Sequence, residues 1–171
     1  MKLTFKRCDQ NDLRELVSIS RNTYFNAFIA DNSPENMQLY LDSAFSKSVL
    51  ADDLKNKESE FYFAFHMDVV VGYFKINWGK AQKDMNDKDG FEIERIYVLK
   101  EFQRKKLGQE MLEKTIEIAK SKNVKHVWLG VWEKNIKAIR FYERNSFERF
   151  GEHDFMLGEE KQTDHLMKLY V

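Results

Sequence analysis

Apolar residues along the chain switch between two spacings, every second position and every third to fourth, and each switch marks an element. Phe61 to His66, Val69 to Asn77 and Phe91 to Val98 are rich in aromatic and β-branched residues and predict strands. The first two are separated only by Met67-Asp68, which predicts a tight antiparallel hairpin. Lys2 to Lys6, Val124 to Val131, Ser146 to Phe150 and His165 to Tyr170 predict four more strands. Helical spacing runs from Gln10 to Ala27, where Leu13, Leu16, Val17, Ile19, Tyr24 and Phe28 form a broad apolar face behind Asp9 as N-cap. Ser33-Pro34 starts a second helix, since serine caps and proline is preorganised for the first turn. Lys47 to Asn56, Leu107 to Ala119 and Asn135 to Arg144 predict three others. The polar, acidic segment from Lys80 to Gly90 has no apolar period and is expected to be mobile. Mostly antiparallel strands with helices inserted between them imply an α+β fold: a mixed central sheet of about seven strands with helices on both faces. No repeat or linker interrupts the pattern, so one domain is expected over residues 1–171.

Composition narrows the function classes. With 28 basic and 28 acidic residues the net charge is zero, so no global field recruits nucleic acid or an anionic membrane. The charge is locally segregated. Basic residues crowd at Arg104 to Lys106, and acids gather at Asp84, Asp87, Asp89, Glu92 and Glu94. The single cysteine, Cys8, has no intrachain partner for a disulfide, and the start, MKLTFKR, lacks a long apolar run; both fit a cytoplasmic protein. His66, His126, His153 and His165 show no metal-ligand spacing with one another or with Cys8, so no metal site is expected.

The chemistry concentrates in Phe91 to Ala119. There a strand and a short polar linker lead through a basic turn, Gln103-Arg104-Lys105-Lys106-Leu107-Gly108, into a helix with one apolar face, Leu107, Met111, Leu112, Ile116 and Ala119. The first amides of a helix lack internal partners and its dipole favours negative charge, so this arrangement suits an anion such as a phosphate. It is neither a Walker loop nor a G-x-G-x-x-G fingerprint.

The turn resembles the acetyl-CoA-binding motif of the GNAT N-acetyltransferases, Q/R-x-x-G-x-G/A, with Gln103 first, Gly108 last and Lys106 where the middle glycine is usual. Asn135-Ile136-Lys137-Ala138-Ile139-Arg140-Phe141-Tyr142 is similar to that family's N-x-x-A-x-x-F/Y-Y segment. The resemblance implies a GNAT fold with a splayed pair of strands at the cofactor site, the pantetheine arm of acetyl-CoA lying in the opening. Four further segments, beginning at Asn32, Glu92, Trp128 and Glu160, are similar to the PaiA-type GNAT proteins. That subfamily is associated with spermidine and spermine acetylation.

An amine of that kind has a pKa near about 10.4 and arrives protonated, so transfer requires a base, a held amine, an oxyanion donor and a proton for the thiolate. Strict alternation places Glu92, Glu94, Ile96 and Val98 on one strand face and Ile93, Arg95 and Tyr97 on the other, unless a bulge intervenes. Glu92 stands where some GNAT enzymes carry their base; Glu94 is the second choice, and both also read as rim residues paired with lysines. By resemblance Tyr142 is the general acid, with a packed tyrosine as the alternative. Ile96, Tyr97 and Val98 contact the acetyl and pantetheine portion through their backbone, the Val98 amide serving as oxyanion donor. Gln103, Arg104, Lys105, Lys106, Leu107, Gly108 and Gln109 hold the pyrophosphate. Asn135, Ile136, Lys137 and Arg144 complete the cofactor site, though Lys137 and Arg144 equally suit a solvated helix face. Tyr24, Phe28, Asp31 and Tyr40 fall in the region that covers the acceptor in this fold, and His153 is expected in a late loop near it. The expectation is therefore acetyl transfer from acetyl-CoA to a small primary amine, by resemblance a polyamine, in a monomer or homodimer. Peptide acetylation, or a CoA-binding regulator with little turnover, is the alternative.

Overall fold

The computed structural model describes residues 2–83, 85 and 87–171. In chain order its elements are β1 (Thr4–Arg7), α1 (Leu13–Phe28), α2 (Pro34–Ala44), α3 (Lys47–Lys55), β2 (Ser59–His66), β3 (Val69–Trp78), β4 (Gly90–Val98), α4 (Leu107–Ser121), β5 (His126–Trp132), α5 (Ile136–Arg144), β6 (Glu148–Leu157) and β7 (Glu160–Tyr170). The helix starts follow their caps. Ser33 accepts from the Asn36 amide with Pro34 in the first turn, and Ser46 accepts from the Val49 amide. Asp9 caps a 3-10 turn, Gln10–Asp12, that leads into α1, so the α-helix begins three residues later than the spacing predicts.

The strands form one seven-stranded sheet in the order β1-β2-β3-β4-β5-β7-β6. All pairs are antiparallel except β4–β5. Helices cover both faces, as expected. On one side Leu107, Met111, Leu112 and Ala119 of α4 and Tyr142 of α5 pack on Phe74, Ile76, Phe91 and Ile93. On the other, Leu16, Ile19 and Tyr24 of α1, Met37 and Leu41 of α2 and Leu50 of α3 pack on Phe61, Phe63 and Tyr73.

Two expectations need correction. The last strands are longer than the sequence pattern shows, so His153 lies on β6 and not in a loop. β6 is an edge strand whose outward positions carry Glu148, Arg149, Glu152 and Asp154, and this charge hides the strand period. The segment after β3 is in part pinned: Gln82 is buried, donates to the Gly79 and Asp87 carbonyls, and accepts from the Trp128 indole at 2.6 Å. Asp84, in the predicted acidic cluster, lies outside the described residues.

The feature that makes the site is the parting of β4 from β5. They pair only at Gly90–His126, Phe91–Val127 and Glu92–Trp128. Immediately beyond, β4 carries a bulge: Ile76 faces Ile93 and Lys75 faces Arg95, so Glu94 is the extra residue.

Candidate active site

A cleft of about 1320 Å³ opens where β4 and β5 part and extends from the start of α4 to α1 and the β6–β7 hairpin. Register gives the backbone of its β4 wall a direction. The Leu99 amide, just past β4, donates to the Val71 carbonyl at 2.9 Å, so Tyr97 and Arg95 are in phase with it as the β4 residues bonded to β3. The alternate residues, Ile96 and Val98, turn their N–H and C=O groups away from β3, into the gap that β5 no longer fills. The Val98 carbonyl there accepts from the Gln103 side chain at 3.2 Å, which ties the basic turn to the strand end.

In that turn Arg104 and Lys106 have φ of 62° and 63°. Lys106, at the motif's middle glycine, is the N-cap of α4 in the left-handed region and makes no side-chain cap. This conformation is what glycine adopts without penalty and a lysine holds at a cost of roughly 1 kcal/mol. Among the described residues the amides of Arg104 to Gly108 have no acceptor, and a Cβ built on Gly108 meets nothing within 4 Å. Lys100, Arg104, Lys106, Lys137 and Arg144 line this end of the cleft. Free helix-terminal amides, a floor without side chains and five cations fit a phosphate-rich ligand such as a coenzyme A moiety.

Most of the residues singled out in the sequence meet in this cleft, but three do not line it. Lys105 is exposed, its ammonium 5.0 Å over the Phe102 ring. Ile136 is half exposed at the start of α5, and Asp31 is exposed on the 3-10 turn after α1. Two others line it with their side chains committed to the protein. Asn135 caps α5 by accepting from the Ala138 amide, and Gln109 donates to Asn145 and Glu113.

The middle of the cleft holds the carboxylates. Because of the bulge, Glu92 and Glu94 share the α1–α3 side of β4 with Arg95 and Tyr97, while Ile96 and Val98 join the core under α4. The strict alternation expected for this strand is therefore wrong beyond Ile93. Glu94 forms a 2.7 Å ion pair with Lys75, a buried lysine also paired to Asp53 at 2.6 Å. Burial alone would raise the Glu94 carboxyl, but the Lys75 ammonium and the Arg95 guanidinium outweigh it and hold it at about 2. A carboxylate so stabilised is a poor proton acceptor. Glu92 is buried at 3 % exposure and accepts from the Asn77 side chain at 2.8 Å and from the Lys83 amide at 3.0 Å. Tyr142 is buried between Phe141 and Phe147 and lines the cleft; burial pushes its phenol above the ordinary value, so it stays protonated.

The acceptor-side aromatics are packed against the protein's own cation. Tyr24 stacks on Tyr40 at 4.5 Å and meets Phe28 at 4.6 Å. The Arg95 guanidinium lies 4.2 Å over Phe45 and 5.8 Å over Tyr24 and donates to the Tyr40 hydroxyl at 3.4 Å. His153 lines the cleft opposite Asp164 in the β6–β7 register.

Residues 18–147 match the acetyltransferase (GNAT) family model. The chain belongs to the GNAT acetyltransferase family. An uncharacterized N-acetyltransferase of Lactobacillus delbrueckii subsp. lactis is 40 % identical over 93 % of this chain and 92 % of its own length. The spermidine N(1)-acetyltransferase of Thermoplasma acidophilum is 24 % identical over 86 % and 89 %. Among solved structures, the PaiA N-acetyltransferase of Thermoplasma acidophilum in complex with coenzyme A superposes with a TM-score of 0.79 at 20 % identity, covering 100 % of both chains. The protein is thus an acetyl-CoA-dependent GNAT N-acetyltransferase, and its seven-stranded, splayed sheet is the GNAT fold.

Sequence reasoning missed three polar side chains of this GNAT site: Lys75, Asn77 and Asp164. A signal for the first two was present. Lys75 and Asn77 are polar at alternate positions in the otherwise apolar run VVVGYFKINW, which marks a charged buried face.

Proposed function

We propose that this enzyme acetylates a primary amine by direct transfer, with a polyamine such as spermidine or spermine as the acceptor. The observation that carries the reading is the division of charge along the cleft. Its cofactor end is lined by five cations, whereas the rest carries three carboxylates, Glu92, Glu94 and Asp164, beside Lys83 and an Arg95 that is engaged by Tyr40 and Phe45. A polycationic chain is attracted to the second region and repelled by the first. Similarity to the spermidine acetyltransferase points the same way.

In this reading bound acetyl-CoA supplies the thioester acetyl group. Glu92 removes and holds the ammonium proton, since Glu94 is committed to Lys75. Glu94 and Asp164 orient the rest of the cation. The Val98 amide, aimed into the gap, donates to the oxygen that gains charge. Tyr142, kept protonated by burial, supplies a proton to the leaving sulfur. Cys8 takes no part, because burial and Asp12 push its thiol up to about 12 and it packs under α1. The lone buried thiol also suits a cytoplasmic enzyme.

Thiol release from acetyl-CoA is measured with spermidine, spermine, lysine and peptides with free N-termini. Turnover on the polyamines supports the proposal. Turnover on peptides alone moves the acceptor to protein N-termini and refutes the polyamine assignment.

A further inference from the structure

One buried side chain touches both glutamates of the cleft. Asn77 is fully buried on β3, directly opposite Glu92 in the register. Its Nδ2 donates to Glu92 at 2.8 Å and to Glu94 at 2.7 Å. An amide nitrogen has two hydrogens, so each carboxylate receives one and none is left over. The Asn77 Oδ1 accepts from the Ser59 hydroxyl at 2.7 Å, and Ser59 is buried directly across the β2–β3 pair. The two ionised carboxylates, which only accept, set the amide's orientation, and Ser59, which can donate, holds its oxygen on the other side. Turned the other way, Oδ1 would face two carboxylate oxygens and the amide would donate to neither. Glu94, the extra residue in the β3–β4 ladder, reaches the same nitrogen as Glu92 two positions before it.

The two carboxylates differ in their other partners. Glu94 is neutralised by Lys75, which is shared with Asp53 of α3, and lies 3.7 Å from Arg95. Glu92 also accepts from the Lys83 amide, and its β5 neighbour in register is Trp128. Asp164 of β7 and the side chain of Lys83 line the same cleft. Asn77 thus joins a carboxylate fixed by an ion pair to the one assigned as base in the reading above.

We propose that Asn77, held by Ser59, is the positioning residue for Glu92: it tethers the base to the immobile Glu94–Lys75 pair and keeps it ionised and aimed along the cleft. The proposal rests on Glu92 being the base in the reading above. Asn77 itself touches neither substrate nor cofactor in this role.

The test is a double-mutant cycle on purified enzyme, with kcat measured by thiol release on the best polyamine and CoA affinity measured by calorimetry. Glu92→Gln is expected to lower kcat by about 10²-fold or more. Asn77→Ser and Ser59→Ala are each expected to lower it by about tenfold, with CoA affinity within twofold of wild type. In the Glu92→Gln background the same two substitutions are expected to add less than twofold, because the group they act on is gone. Effects that multiply instead, or fall equally on CoA binding, overturn the proposal. Ser59→Ala keeps the read-out available if Asn77→Ser fails to fold. A second measurement needs no turnover. The side-chain carboxyl 13C titration of Glu92 is expected to move to higher pH in Ser59→Ala, and an unmoved midpoint overturns the proposal. Should Glu92→Gln turn over like wild type, the choice of base fails first and the role of Asn77 falls with it. If wild type acetylates only peptides, the polyamine assignment fails while the cycle, run on the peptide, still decides the role of Asn77.

Discussion

Gly108→Ala separates folding from cofactor binding, because the two respond with opposite sign. Gly108 is the second residue of α4, and a Cβ there meets nothing within 4 Å. Removing a glycine from a helix stabilises it by up to about 1 kcal/mol, and this early position argues for the lower half, about 0.5 kcal/mol. For a chain of this length that raises Tm by roughly 1–2 °C. In the proposed cofactor pose the same open space is the floor for the diphosphate, and a methyl group would lift it from the Gly108 amide. One charge-assisted hydrogen bond is worth about 1.5–3 kcal/mol, so Kd for CoA weakens about tenfold to hundredfold. The two effects cross in a melting experiment. At CoA equal to about 100 times the wild-type Kd, wild type gains about 2.7 kcal/mol, whereas a variant binding about 30-fold more weakly gains only about 0.8 kcal/mol. Thermal melts with and without CoA, beside a calorimetric titration, therefore read the variant as the more stable protein without ligand and the less stable one with it. A lower apo Tm would mean that the Cβ meets something after all. A higher apo Tm with unchanged CoA affinity would remove Gly108 from the phosphate site.

The remaining predictions concern the buried charges and the acid. Lys75→Met takes the ammonium from Asp53 and Glu94 and leaves Glu94 only its longer contact to Arg95; both carboxylates keep some solvent, at 20 % and 14 % side-chain exposure, so the loss is placed at the low end for a broken buried pair, about 3 kcal/mol by urea denaturation. The folded-state pKa of Glu94 is depressed from 4.5 to about 2, so its contribution, on the order of 3 kcal/mol, is fully present above about pH 4.5 and is lost as pH falls toward 2. Acid unfolding curves should show wild type losing stability across that window, and Glu94→Gln, already lacking this contribution, changing less. Tyr142→Phe keeps its ring packing against Phe141 and Phe147, so Tm and CoA affinity hold while kcat falls about 10²-fold. Equal turnover would take Tyr142 out of the mechanism.

What was legible in the sequence follows from where side-chain period and backbone demand coincide. The five α-helices could be read because serine, proline and apolar spacing act locally: Ser33 and Ser46 cap as their residue types predict. The turn at the start of α4 was legible for the same reason, and Lys106 shows that the left-handed position is kept even without glycine. The second half of β6 was not legible, because an edge strand with charged outward positions lacks an apolar alternation to count. Nor was the aromatic group at Tyr24, Phe28 and Tyr40 legible in its role. Aromatic rings suit any cation, and nothing local in the sequence says that Arg95, more than 50 positions from Tyr24 and Tyr40, is the one over them.

The β4 bulge reconciles two requirements that a regular strand cannot meet together. With strict alternation Glu92 and Glu94 would share a face with Ile96 and Val98, putting either carboxylates under α4 or apolar side chains among the acids. One extra residue at Glu94 changes the phase. Phe91, Ile93, Ile96 and Val98 all reach the α4 core, and Glu92, Glu94, Arg95 and Tyr97 all reach the opposite side. The same change of phase determines which amides point into the gap, so Ile96 and Val98 turn their backbone outward. Bulges also bend the strand that carries them, and β4 loses its pairing with β5 at Glu92, two residues before the bulged residue. The direction of the Ile96 and Val98 backbone, on which the proposed oxyanion contact depends, originates in this one inserted residue.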